Sequence, residues 1–253
     1  MTDLPPLRLG ITGTDTGIGK TVVACAIAAL AVKQGQRVGA MKPIESGIDP
    51  MVVDGGVLRS DGERLRAAAS SDLALTHVRP YVLEEPLAPM VAAQRAGVDI
   101  ELGILEAACE ALSASRQLLL VEGAGGLLVP ITLACSFLDL FARWRCTLIL
   151  VAGNRLGVLN HVLLTVRCAE AANVPVRAVI LTQYSDRDAS VAEATNYDAL
   201  VRLLPRHAIF RFPWIDRVDD LDALAAAAEG SGLDPLLSVS DTWPLSATGP
   251  LLT

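Results

Sequence analysis

Lysine is scarce in this sequence: of its 21 Lys and Arg residues, only Lys20, Lys33 and Lys42 are lysines. Acidic residues are in excess, and the formal net charge is -7. A chain with this balance is a poor general binder of nucleic acid, so an anionic ligand would need a local concentration of positive charge. Lys20 and Lys42 fall in motifs that also contain glycine or proline, which makes those motifs the first candidates for such a site.

Paired cysteines, clustered histidines and membrane-spanning runs are also missing. The five cysteines contain no C-x-x-C pair and mostly lie in apolar runs, which favours buried thiols in a reducing compartment. The three histidines are scattered and form no metal-ligand cluster. The N-terminus has no basic-then-apolar signal sequence, and no apolar run is long enough to span a bilayer. We therefore expect a cytoplasmic protein that does not associate with membranes.

Short apolar runs alternate with longer segments of helical pattern, which predicts right-handed β-α-β units in a doubly wound, mostly parallel sheet with helices on both faces. The predicted strands cover residues 7–12, 37–41, 118–121, 147–151, 176–181 and 208–212. The predicted helices cover residues 21–33, 100–114, 157–172 and 189–204. The length suits one α/β domain over residues 1–229. Residues 230–253, with their Gly, Ser and Pro, are expected to form a loosely packed tail of unknown role.

The stretch GITGTDTGIGKTVVACAIAAL, from Gly10 to Leu30, predicts a phosphate-binding loop between a strand and a helix, hence a fold of the P-loop NTPase type. Glycines let backbone N–H groups approach phosphate oxygens, and a helix N-terminus favours anions. Lys20 can then reach the outer phosphates, and the Thr21 hydroxyl can bind Mg²⁺. Five residues separate Gly13 from Gly19, one more than in the usual motif. The alternative is a glycine-rich turn that binds nothing.

Three more charged residues are candidates for the same site. Lys42, in MKPIESG, ends the second predicted strand and so lies at the same sheet edge as the loop. Glu122 ends the apolar strand of LLLVEGAGGLLVP, where nucleotide hydrolases often keep a metal-binding carboxylate. Asp61, in RSDGERLRAAA, takes part only if the preceding loop folds over the phosphates. The alternatives are a solvated lysine at Lys42, a salt-bridged or capping carboxylate at Glu122, and a helix cap at Asp61.

Together these motifs resemble dethiobiotin synthetase, an ATP-dependent ligase of biotin synthesis. The resemblance covers roughly residues 7–224 and rests on motifs that occur in order: TGTDTGIGKT, KPIESG, Asp61, EGAGG, RLGVLNH and FPW. The family's phosphate loop has the same additional residue, which lets the loop serve both phosphate and a second substrate. The glycines of EGAGG allow a ligand to approach the backbone closely.

The resemblance implies that 7,8-diaminopelargonic acid, CO2 and ATP are the substrates and that Mg²⁺ is required. One amine takes up CO2 to give a carbamate, the carbamate attacks the γ-phosphate, and the second amine closes the ureido ring and expels phosphate. Chemistry of this kind needs positioning and charge neutralisation more than covalent work by the protein. By resemblance, Lys20, Lys42 and Thr16 act in catalysis, Thr21, Asp61 and Glu122 hold the metal, and Ser46 and Thr16 orient the diamine and its carbamate.

The resemblance also implies a wider nucleotide site and a homodimer. The expected nucleotide-binding residues are Gly17, Ile18, Gly19, Lys20, Thr21, Val22, Asp61, Glu122, Gly123, Ala124, Gly125, Thr182, Gln183, Pro213, Trp214 and Ile215. In the family, the segment that matches residues 155–161 reaches across the dimer to hold the substrate carboxylate, which gives Asn160 a substrate-binding role. On one chain alone, Asn160 would be a helix N-cap.

The sequence departs from the family pattern in two places. Gly17 stands where some members carry Glu, and Thr182 and Gln183 stand where some members carry an Asn-Asp pair whose Asn reads the adenine. The second departure predicts weak discrimination among nucleotide bases, because a single hydroxyl offers less than a bidentate amide.

Three other functions compete with this interpretation. A partition-type or scaffold ATPase, acting as a nucleotide-switched dimer, would carry a signature lysine five residues before Lys20, where Asp15 stands. An amidoligase related to the corrinoid amide synthases would need a glutamine-hydrolysing domain, for which the sequence leaves no room. A binding protein without turnover is the third alternative.

Overall fold

The computed structural model describes residues 5–48, 60–184 and 190–238. The main strands correspond to the six predicted from apolar runs, and four shorter strands lie between them. The strands are β1 (Leu7–Gly13), β2 (Val38–Met41), β3 (Ile44–Ser46), β4 (Tyr81–Leu83), β5 (Leu118–Gly126), β6 (Pro130–Thr132), β7 (Cys135–Ser136), β8 (Thr147–Gly153), β9 (Val176–Thr182) and β10 (Ala208–Phe212).

The helices include the four predicted ones and several that the sequence pattern did not reveal. They are α1 (Lys20–Lys33), α2 (Asp61–Ala68), α3 (Leu75–Val78), α4 (Pro89–Ala96), α5 (Leu102–Ser113), α6 (Phe137–Arg143), α7 (Val158–Ala171), α8 (Val191–Leu203) and α9 (Leu221–Gly230), followed by a 3₁₀ turn (Asp234–Leu237). None of the helices within the described ranges is long and apolar enough to cross a membrane.

The six long strands form one parallel sheet in the order β10-β9-β8-β1-β5-β2, with helices on both sides. This confirms the predicted doubly wound fold of the P-loop NTPase type. The sheet lies between helix layers, which explains why residues 118–121 read as a continuous apolar run and are fully buried. The chain order reverses at β1, between β5 and β8, and the crevice at such a reversal is where ligands bind in these folds.

Strand β5, which borders the crevice, is longer than the sequence predicts. Glu122 does not end its strand, because β5 continues to Gly126 and its last residue pairs with Gly13 of β1. The carboxylate of Glu122 therefore projects from within a paired, rigid strand and is 1% exposed. After β2, the chain turns at Pro43 into β3, which pairs with β4 in a separate small sheet.

The expectation of a loosely packed tail is wrong for its first residues. Leu233, Leu236 and Leu237 are buried against the domain. Arg177 of β9 donates hydrogen bonds to the carbonyl oxygens of Pro235 (2.5 Å) and Ser238 (2.7 Å). Residues 239–253 lie outside the described part of the chain, so the predicted division at residue 229 and the role of the tail stay predictions.

Candidate active site

The loop between β1 and α1 has the backbone geometry of an anion cradle. Gly17 and Gly19 have φ values of 70° and 91°, a region that glycine enters without steric cost. Gly19 precedes α1, and no side chain caps the helix. The first N–H groups of α1 are consequently available to a ligand, and the helix dipole favours negative charge there.

Lys20 is folded back onto its own loop. Its Nζ donates a hydrogen bond to the backbone oxygen of Asp15 at 2.7 Å, and the residue is only 6% exposed. Burial lowers the pKa of Lys20 to about 8, against the opposing attraction of Glu122. A phosphate group in the loop would supply the negative charge that this buried ammonium lacks.

Lys42 lies between two carboxylates. Its Nζ is 2.6 Å from Glu122 Oε1 and 2.8 Å from Asp61 Oδ2. Burial alone would lower the pKa of Lys42, but the two carboxylates outweigh it and raise that pKa. Burial raises the pKa of Glu122, whereas at Asp61 the effect of burial is outweighed by Lys42 and the pKa falls. The solvated-lysine alternative for Lys42 is therefore wrong.

The oxygen atoms around Lys42 suit a hard cation such as Mg²⁺. The Thr21 hydroxyl donates to Glu122 Oε1 at 2.8 Å, and Glu122 Oε2 is buried with no hydrogen-bond partner. Within the described ranges, no group of three or more His, Cys, Asp or Glu side chains could hold a metal by itself. Two carboxylates and a hydroxyl fit Mg²⁺ all the same, because this ion usually keeps several waters and takes further ligands from substrate phosphates.

One cavity of about 660 Å³ brings nearly all the predicted residues together. The predicted residues that line it are Thr16, Gly17, Ile18, Gly19, Lys20, Thr21, Val22, Lys42, Ser46, Asp61, Glu122, Ala124, Gly125, Thr182, Gln183, Pro213, Trp214 and Ile215. Two predicted residues do not line it. Gly123 packs against the Phe137 ring, which a Cβ atom would approach to 3.2 Å, and Asn160 is exposed in the first turn of α7.

Thr182 and Gln183 occupy different positions on the cavity wall. The Thr182 hydroxyl donates to Ile18 O at 2.7 Å and is buried, so it fixes the phosphate loop to the end of β9. Gln183 is exposed, and its backbone N–H donates to Phe212 O at 3.1 Å, which joins β9 to the segment that carries Pro213 and Trp214. Of this pair, Gln183 is the residue whose side chain is accessible to a ligand.

One wall of the cavity is formed by residues that the sequence analysis did not identify. Pro86, Leu87, Ala88 and Pro89 line the cavity together with Thr16 and Ser46. Ser46 donates to Leu87 O at 2.9 Å, and Gly47 allows Pro86 to approach closely. Apolar side chains beside the hydroxyls of Thr16 and Ser46 suit a ligand with an alkyl chain and polar groups at one end. Only the PLAP sequence at the start of α4 could have indicated this wall, and that sequence carries no catalytic motif.

Several charged residues near the cavity were also missed. Asp15 stands where a partition-type ATPase would carry its signature lysine. It accepts a hydrogen bond from the Thr16 N–H at 2.8 Å and forms an ion pair with Arg155 at 2.7 Å. Arg64, three residues after Asp61, lines the cavity and pairs with Asp219 at 3.0 Å. Glu45, within KPIESG, is buried and also lines the cavity. The helical spacing of Asp61 and Arg64 was the available signal for Arg64.

The chain is similar to known proteins over most of its length. A family model described as an AAA domain matches residues 8–221. The chain is 38% identical to the ATP-dependent dethiobiotin synthetase BioD of Anaeromyxobacter sp. (strain Fw109-5), over 77% of this chain and 88% of that protein. It is 33% identical to the enzyme of the same name from Thermodesulfovibrio yellowstonii, over 90% of this chain and 98% of that protein.

Among solved structures, a ParA family ATPase from Chlorobium tepidum TLS superposes with a TM-score of 0.53, over 92% of this chain and 96% of that one. The two sequences are only 14% identical. This likeness therefore shows the fold alone.

Proposed function

Since the chain belongs to the ATP-dependent dethiobiotin synthetases, we propose that it carboxylates 7,8-diaminopelargonic acid with CO2 and closes the cyclic urea of dethiobiotin at the expense of ATP. The observation that carries the proposal is the shared cavity. It joins a phosphate loop to Lys42, Asp61, Glu122 and Ser46, so that a triphosphate and a second substrate can meet in one place.

The triphosphate binds to the loop at the start of α1. Backbone N–H groups after Gly19 meet the phosphate oxygens, and Lys20 leaves its contact with Asp15 O to bind the outer phosphates. Lys42 stabilises the charge that develops as the γ-phosphoryl group is transferred, and its two carboxylate partners hold it in place before the substrate arrives.

The diamine binds at the end of the cavity between Thr16 and Ser46, with its alkyl chain along the proline-rich wall. One amine adds to CO2 and loses a proton, which gives a carbamate. A carbamate oxygen attacks the γ-phosphorus and releases ADP, and the second amine then attacks the carbamoyl carbon and expels phosphate. Thr16 and Ser46 orient these groups, which is the main contribution the protein needs to make.

We further propose that Mg²⁺ is required, held by Thr21, Asp61 and Glu122. When bound, the ion neutralises charge on the β- and γ-phosphates. We also propose a homodimer in the cytoplasm, in which Asn160 of one subunit contacts the carboxylate tail of the diamine bound to the other. The exposure of Asn160 outside its own subunit's cavity is consistent with this role.

The test is a reaction with diamine, ATP, Mg²⁺ and bicarbonate labelled with ¹³C and ¹⁸O, followed by mass spectrometry. We expect a cyclic urea that carries the ¹³C label, and phosphate that carries one oxygen from CO2, because the carbamate oxygen becomes a phosphate oxygen. Phosphate that carries no ¹⁸O, formed at a rate independent of the diamine, would contradict the proposal and favour a simple ATPase.

A further inference from the structure

Glu45 is a buried carboxylate that the proposed chemistry does not use. It lies on β3 between Lys42 and Ser46, and it is 2% exposed. Its Oε1 accepts a hydrogen bond from the backbone N–H of Asp61 at 2.5 Å, and its Oε2 accepts one from Gly62 at 3.3 Å. Burying a carboxylate costs free energy, and these two hydrogen bonds offset that cost.

The contacts fix the residue at which α2 begins. Asp61 and Gly62 are the first two residues of α2, whose N–H groups have no partner within the helix. Ser60 caps a different donor, because its hydroxyl accepts from the Glu63 N–H at 3.2 Å while the Glu63 carboxylate accepts from the Ser60 N–H at 2.8 Å. Glu45 therefore holds the part of the helix that carries Asp61, and Ser60 closes the capping box.

Arg79 fixes Glu45 in turn. Its guanidinium lies 3.3 Å from Glu45 Oε2, and its side chain is 14% exposed. The side chain of Arg79 also packs against Gly62, where an added Cβ would come within 2.8 Å of Arg79 Cδ. The start of α2 is thus held between β3 and the residue that directly follows α3, with little room for Asp61 to shift.

We infer that Glu45 is a positioning residue for the metal site: it orients Asp61, through the first N–H groups of α2, toward the place where Mg²⁺ and the nucleotide phosphates bind. The inference rests on the proposed function for the identity of the ion. Hydrogen-bonding partners behind a metal ligand typically change metal affinity 10- to 100-fold when they are removed.

The experiment measures Mn²⁺ binding to the full-length protein in the presence of ADP, by electron paramagnetic resonance of the free ion. Mn²⁺ favours the same oxygen ligands as Mg²⁺. Three variants are compared with the wild type: Glu45→Gln, which keeps the side-chain volume, Glu45→Ala, and Ser60→Ala as the matched control. Ser60→Ala weakens the same helix start without touching the contacts of Glu45. Circular dichroism and Tm report folding, and calorimetry reports ADP binding without metal.

We expect both Glu45 variants to weaken Mn²⁺ binding by about 10-fold or more while ADP binding without metal stays within about twofold. Ser60→Ala should lower Tm and leave Mn²⁺ affinity within about twofold of the wild type. If Glu45→Gln folds and binds Mn²⁺ normally, or if Ser60→Ala weakens Mn²⁺ as much as the Glu45 variants do, the inference is wrong. If the wild type makes labelled cyclic urea but ADP does not enhance its Mn²⁺ binding, the inference fails while the proposed reaction stands.

Discussion

Replacing Lys42 with Met tests the central ion pair of the site. Met has nearly the volume of the lysine stem and carries no charge, so the substitution removes the cation without leaving a large cavity. The strand-end position in the sequence suggests that Lys42 could be removed without harm to folding. The two carboxylates 2.6 and 2.8 Å from its Nζ imply otherwise, because the variant leaves the buried Glu122 and the partly exposed Asp61 without their cation.

Two magnitudes follow from this geometry. Turnover should fall by about 10²-fold or more, because a charge contact to the transferring phosphoryl group is strongest in the transition state. The free energy of unfolding should fall by about 3 kcal/mol at neutral pH, the cost of breaking a buried pair by removing one partner. Both sides of the pair are shielded from water, since the Lys42 and Glu122 side chains are 6% and 1% exposed.

The loss of stability in the Lys42→Met variant should grow as pH rises. In the wild type, Lys42 keeps the pKa of Asp61 below its ordinary value of 3.8, and this stabilises the fold above that pH. The pKa of Glu122 is raised above 4.5 by burial, and without Lys42 it rises further, so its ionised form destabilises the fold as pH increases. The difference between variant and wild type should therefore be smallest near pH 4.5 and grow toward neutral pH.

The assay is urea denaturation of both proteins between pH 4.5 and 8, together with kcat for labelled urea formation. The exposed Lys33, which pairs with Glu229 on the surface, provides a matched control as Lys33→Met. That control should change the free energy of unfolding by less than about 0.5 kcal/mol. A Lys42→Met protein with near-normal turnover would remove Lys42 from the mechanism, and a stability loss independent of pH would refute the role assigned to the two carboxylates.

Three other predictions follow. Because burial lowers the pKa of Lys20 to about 8, ATP affinity should fall as pH rises from 7 to 9 and binding should take up protons; calorimetry in two buffers would show this, and a flat profile would contradict it. The Thr182 hydroxyl is hydrogen-bonded to Ile18 O and so is not available to a nucleotide base, and the kcat/KM values for ATP, CTP and GTP should lie within about 10³-fold of one another. A larger preference for ATP would instead assign base reading to Gln183 or to the backbone at residues 213–215. Sedimentation at assay concentrations should show that the active species is a dimer, and a fully active monomer would overturn the role of Asn160.

The sequence predicted the fold well because the inner strands of the sheet are largely buried on both faces and so read as short apolar runs. It missed β3, β4, α3 and α4, which are short, and it raised α2 only through the possible helix cap at Asp61. Periodicity is weak in segments of three to eight residues, and their structure depends on contacts with distant elements. The pairing of β3 with β4 joins residues almost forty positions apart, and no local pattern indicates it.

The candidate site was predicted at the level of motifs and not of contacts. Glycine spacing and the Gly-Lys-Thr tripeptide indicated the phosphate loop, because that chemistry requires those residues in that order. The position of Lys42 between Asp61 and Glu122 could not be read from the sequence, since it depends on how α2 packs against α1 and β2. Glu45 was overlooked for the same reason, because its partners are backbone N–H groups that any residue could supply.

The charges around the cavity explain how an acidic chain can bind a triphosphate. The charged side chains that line it are three cations, Lys20, Lys42 and Arg64, and three anions, Glu45, Asp61 and Glu122. Each of these except Lys20 is already paired with another charged side chain or held by backbone N–H groups. The formal charge of the lining is therefore zero, and the side chains alone offer little net attraction to phosphate. The N–H groups at the start of α1, the protonated Lys20 and an added divalent ion must supply it, which makes nucleotide binding depend jointly on metal and on pH.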